Sequence, residues 1–182
     1  MGFIKCNLFI SLDGVIESPE TWHFPYFDDQ MGAVVNEQMS GNDATLIGRK
    51  TYDEFAGYWP NANADDPITG VMNGARKYVV SNTLTEATWQ NSSVINGDVA
   101  AELTQLKADT RLGTTGSATL VRWLLERGLV DELHLLVHPI VVGHGKKLFA
   151  DGPTVPLQLL SSTTFDTGVL HLVYAAADNA ES

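Results

Sequence analysis

The chain has 182 residues, 11 Lys and Arg against 22 Asp and Glu, and a formal net charge of −11. At roughly 150 residues per domain, one compact domain is the expectation, and a domain of this size buries about 70% of its unfolded surface without needing staples. The charge repels phosphate backbones and anionic lipid, which argues against nucleic-acid and membrane partners. One cysteine permits no internal disulfide and no zinc or iron–sulfur cluster, so a reducing, cytoplasmic setting is expected.

No stretch approaches the ~18 uninterrupted apolar residues of a membrane span. Phe3–Leu12 reads as a strand with Ile4, Cys6, Leu8 and Ile10 on one face, and it stops at Asp13-Gly14. The segment Glu17–Asp29, with two prolines, Trp22, His23 and further aromatics, reads as an ordered loop leading into a helix around Gln30–Met39. Ala44–Ile47 suits a buried strand ended by Gly48, with a helix from about Lys50 to Ala56. Tyr58 through Pro67 reads as a polar loop, and Lys77–Ser81 and Ser92–Ile95 as strands.

Asp98 can cap a helix over Val99–Ala108, with Val99, Leu103 and Leu106 on one face. Arg111–Thr114 follows as a short strand. Ser117–Arg127 is an amphipathic helix with Leu120, Val121, Leu124 and Leu125 inward, ended by Gly128. Glu132–Val142 reads as one long buried strand. Leu157–Phe165 and Val169–Ala176 read as a hairpin around Asp166-Thr167-Gly168. The expected architecture is an α/β domain over 1–178 with a mainly parallel sheet, a closing antiparallel hairpin and a frayed end over 179–182.

Ligands of open parallel sheets bind beyond the carboxyl ends of the strands. The residues there are polar and glycine-bearing: Asp13-Gly14, Gly48-Arg49-Lys50-Thr51, Ser81-Asn82-Thr83 and Gly113 to Ser117. Arg49-Lys50 at a helix start opposes the macrodipole. A bound phosphate would reverse that sign; pairing with nearby carboxylates is the alternative. Gly116-Ser117 opening a helix is a second place where backbone N–H groups can approach a pyrophosphate, or simply a tight strand-to-helix turn. Two such seats suggest an electropositive groove for a ligand with several phosphates. The spacing is neither a Rossmann fingerprint nor a P-loop. His134 and His138 share a strand face, but with no third ligand in view no metal is expected. Lys146-Lys147 reads as solvated charge, and Trp59 and Trp123 as packing residues.

Together, Ser11-Leu12-Asp13-Gly14-Val15-Ile16, Leu46 to Tyr52, Lys77 to Leu84, Gly116-Ser117, Gly128 to Leu133 and His138 to Phe149 form a pattern covering nearly the whole chain. This pattern resembles the dihydrofolate-reductase-like superfamily, and within it the reductase domain of bifunctional riboflavin-biosynthesis deaminase-reductases. The resemblance implies a three-layer α/β fold that binds NADPH. It assigns Gly48, Arg49, Lys50 and Thr51 to cofactor phosphates, Ser81 and Thr83 to the adenosine end, and Gly116, Ser117 and Ala118 to the pyrophosphate. Asp13 and Gly14 would border the nicotinamide and substrate. The Trp22-His23-Phe24-Pro25 segment is similar to the stretch preceding the catalytic carboxylate of dihydrofolate reductase, with Asp28 one place beyond that carboxylate's position. Thr115-Gly116 stands where the family has two adjacent glycines, and the deaminase motifs are absent.

The implied activity is reduction of a small heterocyclic or carbonyl substrate, resembling 5-amino-6-(5-phosphoribosylamino)uracil reductase, with a homodimer as the expected assembly. Asp13, Asp28 and a bound water are the proton-donor candidates, with His23 behind them; Trp22 and Phe24 are candidates to wall the substrate, since aromatic rings stack on flat heterocycles. Two alternatives stand beside this: a non-catalytic nucleotide-binding or assembly module on the same fold, and dihydrofolate reductase proper.

Overall fold

The computed structural model describes residues 1–149 and 152–177. In chain order the elements are β1 (Phe3–Ser11), α1 (Asp29–Ser40), β2 (Ala44–Gly48), α2 (Arg49–Tyr58), α3 (Pro67–Gly74), β3 (Lys77–Val80) and β4 (Ser92–Ile95). They continue with α4 (Val99–Asp109), β5 (Arg111–Thr115), α5 (Ala118–Glu126), β6 (Glu132–His138), β7 (Leu157–Thr164) and β8 (Leu170–Ala176). The strands form one eight-stranded sheet in the order β4-β3-β2-β5-β1-β6-β8-β7. β1 to β6 run parallel, and β8 pairs antiparallel with both β6 and β7.

Alternation along β1 sends Ile4, Cys6, Leu8 and Ile10 into the main core, where Leu103 of α4 and Val121, Leu124 and Leu125 of α5 meet them. That face is covered because α5 is apolar on one side only, as its spacing predicts. On the opposite face Met31 of α1 packs with Leu136, Phe165 and Val169, and Tyr52 of α2 packs with Ile47, Val79 and Trp89. The result is three layers, with the parallel strands' carboxyl ends on one edge.

Three expectations are corrected. The strand expected over Glu132–Val142 ends at His138. Pro139 has no N–H to give to a ladder, and the N–H groups of Val142 and Gly143 donate instead to the Asp13 carboxylate at 3.0 and 2.9 Å. The polar loop expected through Pro67 gives way at that residue to α3, a helix outside the expected elements. Asp66 caps that helix by accepting from the Ile68 N–H at 2.9 Å, and Pro67 occupies its first turn, where a missing N–H costs nothing. Finally, Ser117 stands outside α5 in a left-handed conformation, φ +52°. The expected end segment 179–182 lies outside the described residues.

Candidate cofactor cleft

The polar turns expected to share one edge do meet there. A cleft of about 1300 Å³ opens along the ends of β2, β3, β4 and β5 and reaches over Leu8 and Phe9 of β1, larger than the ~300–1,000 Å³ of a drug-sized ligand site. Its centre is built by two helix starts. Gly48 precedes α2, and the left-handed pair Gly116 (φ +62°) and Ser117 precedes α5. A non-glycine residue is disfavoured at the first of these positions, which brings the chain round so that Ser117 faces the other turn. Ser117 Oγ accepts the Gly48 N–H at 3.0 Å and donates to Thr51 Oγ1 at 2.9 Å. One hydroxyl thus locks both helix N-termini onto the same opening, where unpaired N–H groups and dipole ends favour an anion.

Of the residues singled out from sequence, Gly48, Arg49, Lys50, Thr51, Ser81, Gly116, Ser117 and Ala118 line this cleft. Arg49 Nε lies 2.8 and 2.7 Å from the two carboxylate oxygens of Asp53 one turn on, and Lys50 Nζ lies 3.7 Å from Glu17 and 3.8 Å from Glu54. The cations that oppose the dipole are therefore balanced by carboxylates. Ser81 Oγ accepts from the N–H groups of Thr83 and Leu84 at 3.2 and 3.0 Å, so it closes the turn after β3; Thr83 itself stands behind it, off the cleft wall.

The wall is not the electropositive groove expected from sequence. Arg49, Lys50, Arg127 and Lys146 are matched by Glu17, Glu20, Glu54 and Asp98, leaving a locally neutral site on a chain of charge −11. The wall also takes in residues not expected there, Lys146, Trp123, Gly97 and Asp98 among them. Lys146, expected as solvated charge, has its Nζ 3.0 Å from Thr119 Oγ1 at the start of α5. Trp123, read as packing, also borders the cleft, with the Arg127 guanidinium 4.1 Å from its ring centre. Gly97 and Asp98 line it too, and their signal was available, since β4 is parallel and its end falls on the same edge.

The residues assigned to substrate and proton transfer fall elsewhere. Asp13 accepts from Ser11 Oγ at 2.6 Å and from the Val142 and Gly143 N–H groups, off the cleft wall. Those hydrogen bonds, the hydroxyl's first, pull its carboxyl down to about 2, so at neutral pH it is an acceptor with no proton to give. Gly14, in the same turn, accepts the Leu148 N–H through its carbonyl at 2.9 Å. Asp28 caps α1 by accepting the Met31 N–H at 2.8 Å. Trp22 is buried, its indole N–H donating to the Glu17 carbonyl at 3.1 Å, while Phe24 is exposed and leans on His23, 4.2 Å between ring centres.

Among the described residues, no group of three or more His, Cys, Asp and Glu side chains is arranged to hold a metal ion, and no helix is long and apolar enough to cross a membrane. His134 and His138 share a face as expected, but each has a different neighbour: His171 for the first, at 3.1 Å, and the Trp22, His23 and Tyr26 rings for the second.

The strand order, the closing antiparallel hairpin and the cleft at the parallel edge define a three-layer α/β domain, and the comparisons agree on that fold. The model of the RibD C-terminal domain matches residues 2–171, and the chain belongs to that family. It is 31% identical over 181 residues to the uncharacterized protein YyaP of Bacillus subtilis (strain 168), covering 94% of this chain and 93% of that one. A crystal structure of a Shewanella sp. PV-4 protein ascribed to riboflavin biosynthesis superposes with TM-score 0.74 at 22% identity, over 98% of this chain and all (100%) of that one. The Thermotoga maritima diaminohydroxyphosphoribosylaminopyrimidine deaminase/5-amino-6-(5-phosphoribosylamino)uracil reductase superposes with TM-score 0.67 at 15% identity, over 97% of this chain and 57% of that one.

Proposed function

We propose that the chain is an NADPH-dependent reductase of a small heterocyclic or carbonyl substrate, related in chemistry to the uracil reductase step of its structural neighbours. The observation that carries this is the junction at Ser117, which points the N-termini of α2 and α5 into one elongated cleft. The donor set fits a dinucleotide: N–H groups at Gly116, Ser117 and Ala118 for the pyrophosphate, and Arg49, Lys50 and Thr51 for a further phosphate, with Gly48, its N–H held by Ser117, giving the close backbone approach. NADPH, when bound, supplies the hydride. The protein's part is to hold the cofactor along the strand ends and orient its reacting face toward the substrate.

With Asp13 and Asp28 committed to backbone N–H groups, we assign the proton to water entering at the cleft mouth. The substrate would lie over Leu8, Phe9 and Ile16, the part of the wall nearest the end of β1. The same reading includes a homodimer through β7, an edge strand whose Leu159 and Leu160 are exposed and which carries no charge to blunt pairing; light scattering tests it, and a strictly monomeric chain refutes it.

The test of the main reading is tryptophan fluorescence quenching on titration with NADPH and, separately, NADH, for the natural chain and Arg49→Ala. The expected result is NADPH binding that weakens more than tenfold in the variant. Absence of binding by either cofactor overturns the reductase reading, and binding without turnover of any carbonyl or pterin favours a non-catalytic nucleotide-binding module.

A further inference from the structure

The sheet face that carries α1 holds a second groove, of about 540 Å³, far from the carboxyl ends that build the cleft and bordered by the first half of β1 and by β6, β7 and β8. Four polar side chains on its floor form a continuous chain. Lys5 Nζ lies 2.8 Å from Glu132 Oε2, the same oxygen lies 2.8 Å from His134 Nε2, and His134 Nδ1 lies 3.1 Å from His171 Nε2. The register explains the meeting. On the β6–β8 ladder His171 stands opposite Leu136 and His134 opposite Val173, so the two histidines are diagonal neighbours on one face of an antiparallel pair.

The carboxylate sets the chemistry of the first imidazole. An ionised Glu132 only accepts, so His134 carries its proton on Nε2 and turns a lone pair on Nδ1 toward His171. A carboxylate behind one ring nitrogen, with the other nitrogen facing a second imidazole, is the outer arrangement that orients metal-binding histidines. Side-chain exposures of 13% at His134 and 32% at Glu132 leave the group reachable from the groove.

We propose that His134 Nδ1 and His171 Nε2 bind a late first-row divalent metal ion, of the Zn²⁺, Ni²⁺ and Cu²⁺ class, with Glu132 as the positioning residue and water completing the coordination. Two nitrogens each ~2.0–2.1 Å from a tetrahedral ion stand about 3.3 Å apart, against the 3.1 Å here, so a small ring rotation makes room. The proton on His171 Nε2 passes to its Nδ1 through solvent, and both rings stay neutral. Imidazole donors select this class over Mg²⁺ and Ca²⁺, which take oxygen ligands. Glu37, on the groove's α1 wall, offsets part of the added charge. With two protein ligands the binding is in the micromolar class, and its effect is to tie the parallel sheet, at β6, to the hairpin, at β8.

The experiment is isothermal titration of the tag-free full chain with Zn²⁺ and with Ni²⁺, followed by thermal melting with and without Zn²⁺. One equivalent binds, and the melting temperature rises. His134→Gln keeps a donor toward Glu132 but removes Nδ1, and His171→Asn removes Nε2; each weakens binding at least tenfold and abolishes the melting shift. Glu132→Gln weakens it about ten- to hundredfold, and His144→Asn, at an exposed loop position, leaves it unchanged. Unaltered melting of the metal-free variants shows that they fold. No binding tighter than millimolar, or binding undiminished in both histidine variants, overturns the proposal. The NADPH titration reads the other site, so either reading can fail alone.

Discussion

Two ends of the same row of strand termini are built in opposite ways. Around β2, β3 and β5 the termini open into the cleft, whose centre is backbone, the turns at Gly48 and Gly116 and two helix starts held together by Ser117, with charged side chains around it. Around β1 and β6 the termini are sealed by rings. Phe9 stacks on His23 with centroids 4.6 Å apart, and Trp22 and Tyr26 meet His138 edge-on at 5.2 and 5.7 Å. The difference teaches a division of labour. On the proposed reading, phosphates are served by N–H groups that a correctly formed turn supplies, whereas the closed end depends on particular side chains, with Trp22, His23 and His138 buried, and leaves the proposed substrate a shallow place above Phe9.

This contrast is testable by removing one group from each end. Trp22→Ala empties a buried site and should lower unfolding free energy by about 3–5 kcal/mol, read from urea denaturation. Ser117→Ala leaves the Gly48 N–H without its partner and should cost about 1 kcal/mol in the same assay, while weakening NADPH severalfold. If the two losses are equal, or if Trp22→Ala weakens NADPH as much as Ser117→Ala does, the closed end is not a separate structural unit.

Much of the architecture was legible because it is local. Alternation along β1, the apolar stripe of α5, the Asp98 cap and the Asp166-Thr167-Gly168 turn each depend on residues a few positions apart. The cleft edge was legible for the same reason, since a parallel sheet puts every post-strand turn on one side. What escaped depends on how the chain folds back on itself, at short and long separations alike, and leaves no repeating pattern. Lys77 is buried in β3, its Nζ 2.6–3.3 Å from the carbonyls of Asn73, Ala75 and Gln90 and 4.1 Å from the Trp89 ring centre; no window of sequence shows such a cage. Asp13 finds Val142 and Gly143, and His134 finds His171, only through the fold. Asp66-Pro67 was a readable helix start that the surrounding polar residues concealed.

Asp28 offers a smaller and more direct test of how the closed end is divided between scaffold and chemistry. As the cap of α1, its replacement by Ala should cost about 1 kcal/mol in urea denaturation, with NADPH binding unchanged. Once a substrate is found, the pH profile of turnover should also be unchanged. A profile that loses a limb in this variant would return Asp28 to the proton-donor role that its hydrogen bond to Met31 argues against.

The smallest expected effect is a tilt with pH. Burial, the largest influence on both, holds the His23 and His138 imidazoles below their ordinary value of 6.5, with the His138 charge opposing that of His23 and Glu20 favouring it. Both rings are neutral in the folded protein at pH 7. As pH falls below 6.5 the unfolded chain takes up protons that the folded chain refuses, so the unfolded state binds more and stability falls with pH through that window. The melting temperature should therefore decline gradually below pH 6.5. His138→Asn can keep a donor toward the Leu136 carbonyl, which lies 2.8 Å from Nδ1 in the natural protein, and removes the titration. It should flatten part of the slope, leaving the share due to His23 and to His171, whose shift has the same sign and the same leading cause. A slope unchanged in His138→Asn would mean that this ring is hydrated in solution, and the closed end would then be open to water like its neighbour.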